Sequence, residues 1–120
     1  MVKKTVVVGA STKTDRYSNR AIHRLVSYNH PVVAIGAMKG EVAGVPIQKS
    51  YEVDDQIDTV TMYIHPLRQP PVYEDIINLK PKRVIFNPGT ENPEFFQKLE
   101  EAAIEVEIAC TLVLLSTDQY

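Results

Sequence analysis

Runs of β-branched residues recur along the chain, and most are followed by a stretch whose apolar positions fall at helical spacing. Thr5-Val-Val-Val8 is such a run and stops at Gly9; Pro31-Val-Val-Ala-Ile35 is a second and stops at Gly36. A weaker one, Val45–Gln48, follows a glycine-containing loop over 37–44. Thr59–Ile64, Arg83–Phe86 and Glu105–Ala109 complete a set of six predicted strands. Between the first two lies a predicted helix from Ser18 to Asn29, with Ser18 as N-cap and Ile22, Leu25, Val26 and Asn29 on one face. A second helix is expected to start at Pro70 or Pro71 and to turn Tyr73, Ile76 and Ile77 inward, since proline suits a first helical turn. Asn92-Pro93-Glu94 is a strong helix start, leading into a stripe of Phe96, Leu99, Ala103 and Ile104. Leu112–Leu115 fits helix and strand equally. Strands separated by helical patterns imply βαβ units and a parallel sheet, and Val/Ile runs with little alternation imply burial on both sheet faces. The expected class is therefore α/β.

Composition narrows this reading without redirecting it. The chain has 120 residues, 44% of them hydrophobic and 23% charged, which suits one globular domain over 1–120. No apolar run reaches the roughly 18 residues of a membrane span. Met1-Val-Lys-Lys leads directly into a strand without a signal-peptide pattern. A single cysteine excludes an intrachain disulfide, so a cytoplasmic protein with no membrane partner is expected. The net charge of −2 conceals an asymmetry: eight basic against two acidic residues through Lys49, then five against thirteen. Such a split favours an anionic small-molecule partner on the first half rather than a nucleic acid, although surface solvation alone also produces it.

In an open parallel sheet, ligands bind beyond the carboxyl ends of the strands. The loop after strand one, Gly9-Ala-Ser-Thr-Lys-Thr-Asp-Arg-Tyr-Ser18, offers a turn glycine, hydroxyls at Ser11 and Ser18, and the cations Lys13 and Arg16 ahead of a helix N-terminus. It carries one glycine of the G-x-G-x-x-G dinucleotide fingerprint and no more. Beyond strand two, a NAD site requires an acid for the ribose hydroxyls, but this chain has Gly36 and then Lys39. That substitution suits a phosphorylated ribose, as in coenzyme A or, second, NADP. The remaining strand ends present His65-Pro66, Asn87-Pro-Gly89 and Cys110. The three histidines lack metal-ligand spacing, no nucleophile elbow or P-loop occurs, and no complementary acid–base pair can be picked out, so no catalytic or metal residue is assigned. A lone cysteine reads first as a small hydrophobe.

Val8-Gly-Ala-Ser11, Arg16-Tyr-Ser18, Gly44-Val-Pro-Ile47, Thr59–Pro66, Asn87-Pro-Gly89 and Cys110, in this order and spacing, resemble the small bacterial CoA-binding-domain family. That family is similar to the N-terminal domain of the succinyl-CoA synthetase α subunit. The resemblance implies a three-layer Rossmann-like sheet of order 3-2-1-4-5-6, with Val45–Gln48 as the short third strand. It implies that Gly9, Ala10, Ser11, Arg16 and Ser18 hold the diphosphate side of the ligand and that Lys39 lies near the adenosine phosphate. Tyr63 to Pro66 and Asn87 to Gly89 would line the rest. The chain departs from the family's usual pattern at Thr14, at Ala34–Ala37, at Asn87 and at Ile108-Ala109. The expectation is a module that binds coenzyme A or acyl-CoA without its own chemistry. The alternatives are a small NADP-linked or acyl-CoA-processing enzyme using His65 or Cys110, and a partner-interaction or homo-oligomeric subunit with a decayed pocket.

Overall fold

A computed structural model describes residues 2–120. Its strands are β1 (Thr5–Val8), β2 (Val32–Ile35), β3 (Gly40–Val42), β4 (Val45–Gln48), β5 (Thr59–Met62), β6 (Arg83–Phe86) and β7 (Glu105–Ile108). The helices are α1 (Tyr17–Ser27), α2 (Tyr73–Asn78), α3 (Pro93–Glu101) and α4 (Thr111–Ser116). One seven-stranded sheet runs β3-β4-β2-β1-β5-β6-β7, parallel throughout except for the β3–β4 hairpin. With β4 as the third predicted strand, this is the expected Rossmann-like order extended by one edge strand.

Side-chain alternation along β1 divides the core between the two sheet faces. Val6 and Val8 join Val60, Met62, Phe86, Ile76, Phe95 and Leu99 beneath α2 and α3. Val7 joins Ala34, Ile22, Leu25 and Leu115 beneath α1 and α4. Every residue of β1, β5 and β6 is buried, as the unalternating runs require.

Several sequence expectations are corrected. The stretch 37–44 contains a strand, because Ala43 and Gly44 both take positive φ (51° and 81°) and close a tight hairpin. Strand β5 stops at Met62 rather than Ile64. Two 3₁₀ turns, Pro66–Arg68 and Pro70–Val72, precede α2, since prolines at 66, 70 and 71 cannot donate to a continuous α-ladder. Helix α1 begins one residue early with Arg16 as its N-cap residue, so Ser18 does not cap it. Asn29 lies beyond α1 and Ala103 beyond α3, both with positive φ, and Phe95 replaces Ala103 in the buried stripe of α3. The ambiguous 112–115 segment is helical.

Candidate functional site

The parallel sheet delivers the ends of β1, β2, β5, β6 and β7 to one edge, and the predicted site residues occupy the loops that follow them. After β1 the chain turns at Gly9, whose φ is +97°. A Cβ there would stand 3.0 Å from the Ile64 side chain, so conformation and space both require glycine. The Gly9 and Ala10 N–H groups both donate to the Ile35 carbonyl, at 2.9 Å each, which binds this loop to β2. Ser11 Oγ accepts from the Lys13 N–H (3.1 Å), and its carbonyl accepts from Nδ2 of Asn19 (2.9 Å). Asn19, buried in the first turn of α1, is a brace that sequence reading missed; its only signal is a polar residue next to an otherwise apolar helix face. Ser18 is buried too, whereas Lys13 and Arg16 reach solvent.

The start of α1 is electrostatically open. Arg16 makes no side-chain cap bond and the first turn holds no acid, so the leading N–H groups and the helix dipole favour an anion. The other helix starts differ. Asn92 Oδ1 accepts from the Phe95 N–H and Glu94 stands in the first turn of α3, while the Thr111 N–H that opens α4 donates to Asn87 Oδ1 at 2.9 Å.

The loop after β2 lies directly against the first. A Cβ on Gly36 would sit 2.3 Å from the Ala10 carbonyl oxygen, and one on Gly40 would sit 2.3 Å from the Thr12 methyl. Lys39 is exposed between them. The two loops expected to hold the diphosphate and the adenosine phosphate therefore form one continuous surface.

Beyond β5 and β6, polar side chains serve mainly the protein. Nδ1 of His65 accepts from the Leu67 N–H (3.1 Å) and caps the 3₁₀ turn begun by Pro66. Asn87 is buried, and its Nδ2 donates to Thr61 Oγ1 (2.7 Å) and the Met62 carbonyl (2.8 Å). Its carboxamide thus ties β5, β6 and α4 together rather than facing outward. Gly89 turns with φ +91° on the exposed tip of that loop, its N–H held by Glu91. Gln69, fully buried, donates to the carbonyls of Ile64 (3.0 Å) and Thr90 (2.9 Å) and accepts from Asn92, so it fastens the β5 loop to the β6 loop. Nothing in its local sequence marks Gln69, because its role arises from the crossing of two distant loops.

Between these loops and α4 lies a cavity of about 220 Å³ lined by Tyr17, Tyr63, Asn87, Pro88, Cys110 and Leu112. Cys110 is half-buried in its wall, just beyond the carboxyl end of the last strand. The Tyr63 ring forms another wall. Its hydroxyl is buried without a hydrogen-bond partner, and that burial pushes its pKa well above the usual phenol range.

Residues 3–116 match the model of a family described as a CoA binding domain. The chain belongs to that family. This CoA binding domain superposes with a TM-score of 0.97 and 48% identity on the crystal structure of a protein described as uncharacterized, covering 100% of this chain and 99% of that one. A hypothetical protein from Pyrococcus horikoshii OT3 is 27% identical, with a TM-score of 0.87 over 97% of this chain and 83% of its own. The fold also recurs, at 18% identity and a TM-score of 0.74, in a dinucleotide-forming acetyl-coenzyme A synthetase of Ca. Korarchaeum cryptofilum. That match covers 88% of this chain but 25% of the longer one. No curated protein matches the sequence.

Proposed function

We propose that this protein binds coenzyme A, free or acylated, along the carboxyl edge of its sheet, and acts as a binding module without chemistry of its own. The observation that carries the reading is the joined pair of loops, in which the uncapped start of α1, with Lys13 and Arg16, adjoins the Lys39 loop through the side-chain-free contacts of Gly36 and Gly40. This arrangement provides for a diphosphate and, one loop away, a phosphorylated ribose. Membership of the CoA binding domain family supports the same ligand. The absence of an acid after β2 argues against NAD. The binding-only part of the reading is supported by Asn87, whose carboxamide is engaged at both ends within the protein, and by His65, whose Nδ1 is taken up in capping the 3₁₀ turn.

A thermal-shift comparison tests the ligand. A ligand that binds the native state alone stabilises it by about 2.7 kcal/mol at a hundredfold excess over Kd. Coenzyme A is expected to raise Tm clearly more than NADP or NAD, and a larger shift with either dinucleotide overturns the assignment. Incubation with acetyl-CoA, with and without ATP, is expected to release no thiol above buffer. Turnover that vanishes in His65→Ala or Cys110→Ser refutes the binding-only part.

A further inference from the structure

We infer that the cavity lined by Tyr17, Tyr63 and Leu112 receives the sulfur end of the ligand and selects a neutral, short-chain acyl thioester of up to about four acyl carbons. The inference rests on the coenzyme A reading and extends it to the acyl group. With the diphosphate at the β1 loop and the adenosine phosphate at Lys39 on the β2 side, the pantetheine arm must run the other way along the carboxyl edge. That path crosses β5 and β6 toward β7, following the strand order β2-β1-β5-β6-β7. The cavity lies on it, walled by Tyr63 after β5, Asn87 and Pro88 after β6, and Cys110 and Leu112 after β7.

Size and chemistry then define the occupant. Each heavy atom takes on the order of 30 Å³ by comparison with liquid water. A cavity of about 220 Å³ therefore holds roughly seven heavy atoms, too few for a coenzyme but enough for a thioester sulfur, its carbonyl and a short alkyl tail. The walls are two aromatic rings, a proline, a leucine and a thiol, and the one amide among them, Asn87, already bonds Thr61, Met62 and Thr111. No cation lines the cavity, so an acyl group ending in a carboxylate would bury an unpaired charge there. A longer alkyl chain would overfill it.

Calorimetric titration of the parent protein with CoA and with acetyl-, butanoyl-, octanoyl- and succinyl-CoA tests this. Each buried methylene is worth roughly 0.8 kcal/mol, or about fourfold in Kd. Butanoyl-CoA is expected to bind about tenfold more tightly than acetyl-CoA, octanoyl-CoA no more tightly than butanoyl-CoA, and succinyl-CoA at least tenfold more weakly than butanoyl-CoA. Leu112→Phe, which fills the cavity, is expected to erase the butanoyl preference. If CoA binds but affinity is indifferent to the acyl group, or succinyl-CoA matches butanoyl-CoA, the selectivity inference is wrong while the coenzyme reading stands. If neither CoA nor any thioester binds, both fall.

Discussion

Gly36 has no room for a side chain. The carbonyl oxygen that a Cβ would meet belongs to Ala10, whose own N–H donates to Ile35, so the obstacle is backbone held in place by backbone. Gly36→Ala is expected to lower the unfolding free energy by about 1–3 kcal/mol, the usual range for overpacking, as read by urea denaturation. Arg16 and Lys39 invite the opposite experiment, because both side chains are exposed: removal should leave folding intact and reach only the ligand. A charge-assisted hydrogen bond is worth roughly 1.5–3 kcal/mol. Arg16→Ala and Lys39→Ala are thus each expected to weaken CoA binding tenfold or more in a calorimetric titration. Dephospho-CoA separates their roles: Lys39→Ala should no longer distinguish it from CoA, whereas Arg16→Ala should. Discrimination that survives in Lys39→Ala removes that lysine from the adenosine phosphate.

All four described helices end in the same way, and none ends in glycine. Asn29, Lys80, Ala103 and Asp118 each follow a helix by two residues and each takes a left-handed φ between 51° and 66°. After α1, α3 and α4 the next N–H closes back on the helix, from His30 to Leu25 (3.0 Å), Ile104 to Leu99 (2.9 Å) and Gln119 to Leu114 (2.8 Å). After α2 the next residue is Pro81, which has no N–H to give. These ends explain where the sequence was legible and where it was not. A helix start can carry a side-chain signal, as Asn92-Pro93 marks α3 to the residue, whereas the uncapped start of α1 and the proline turns before α2 displaced those two starts. Helix ends without glycine carry none, so Asn29 and Ala103 read as helical face. The six parallel strands were legible from their apolar runs, but β3 was not, because Gly40-Glu41-Val42 shows no run and is fixed by its turn. At the site, the loops could be located from strand ends, while Asn19 and Gln69 could not, since their partners lie in other loops. Ala103→Gly is expected to stabilise the fold by up to about 1 kcal/mol, because relief of the left-handed cost exceeds the extra chain entropy of glycine. An unchanged or lower denaturation midpoint contradicts that balance. The turn between α1 and β2 carries its own pH dependence. His30 Nδ1 accepts from the Lys3 N–H (2.9 Å), and burial, then the nearby Lys3 and Arg83 charges, hold its pKa below the usual 6.5, against a small opposing pull from Asp58. The unfolded chain therefore takes up the proton first, so this contribution is complete above pH 6.5 and declines as pH falls below it. Denaturation midpoints between pH 7.5 and 5.5 are expected to fall less steeply in His30→Gln than in the parent.

The charge asymmetry along the sequence becomes an asymmetry of faces in the whole molecule. Helix α1 carries Arg20 and Arg24 and no acid, and α4 carries no charge. On the other side of the sheet, α2 and α3 carry Glu74, Asp75, Glu94, Glu100 and Glu101 against Lys98 alone. The basic face shares its helix with the proposed diphosphate site, so the field over that edge favours an anion. CoA affinity is accordingly expected to fall several-fold between 50 and 500 mM NaCl, as shortening of the Debye length predicts. Salt-independent binding would mean that contacts in the apolar cavity dominate.

Strand β1 precedes the other six strands in the chain and sits in the middle of the sheet, paired to β2 on one side and to Thr59–Met62 on the other. On a ribosome adding about 5–20 residues per second, its second neighbour emerges seconds after it does. For that interval one backbone edge of the apolar run Val6-Val7-Val8 lacks its partner, and such a segment is prone to join another chain. Pulse-labelled hydrogen exchange during refolding is expected to show the β1 and β5 amides gaining protection in one step. A strand wholly buried in the finished protein is, during its birth, open to strangers.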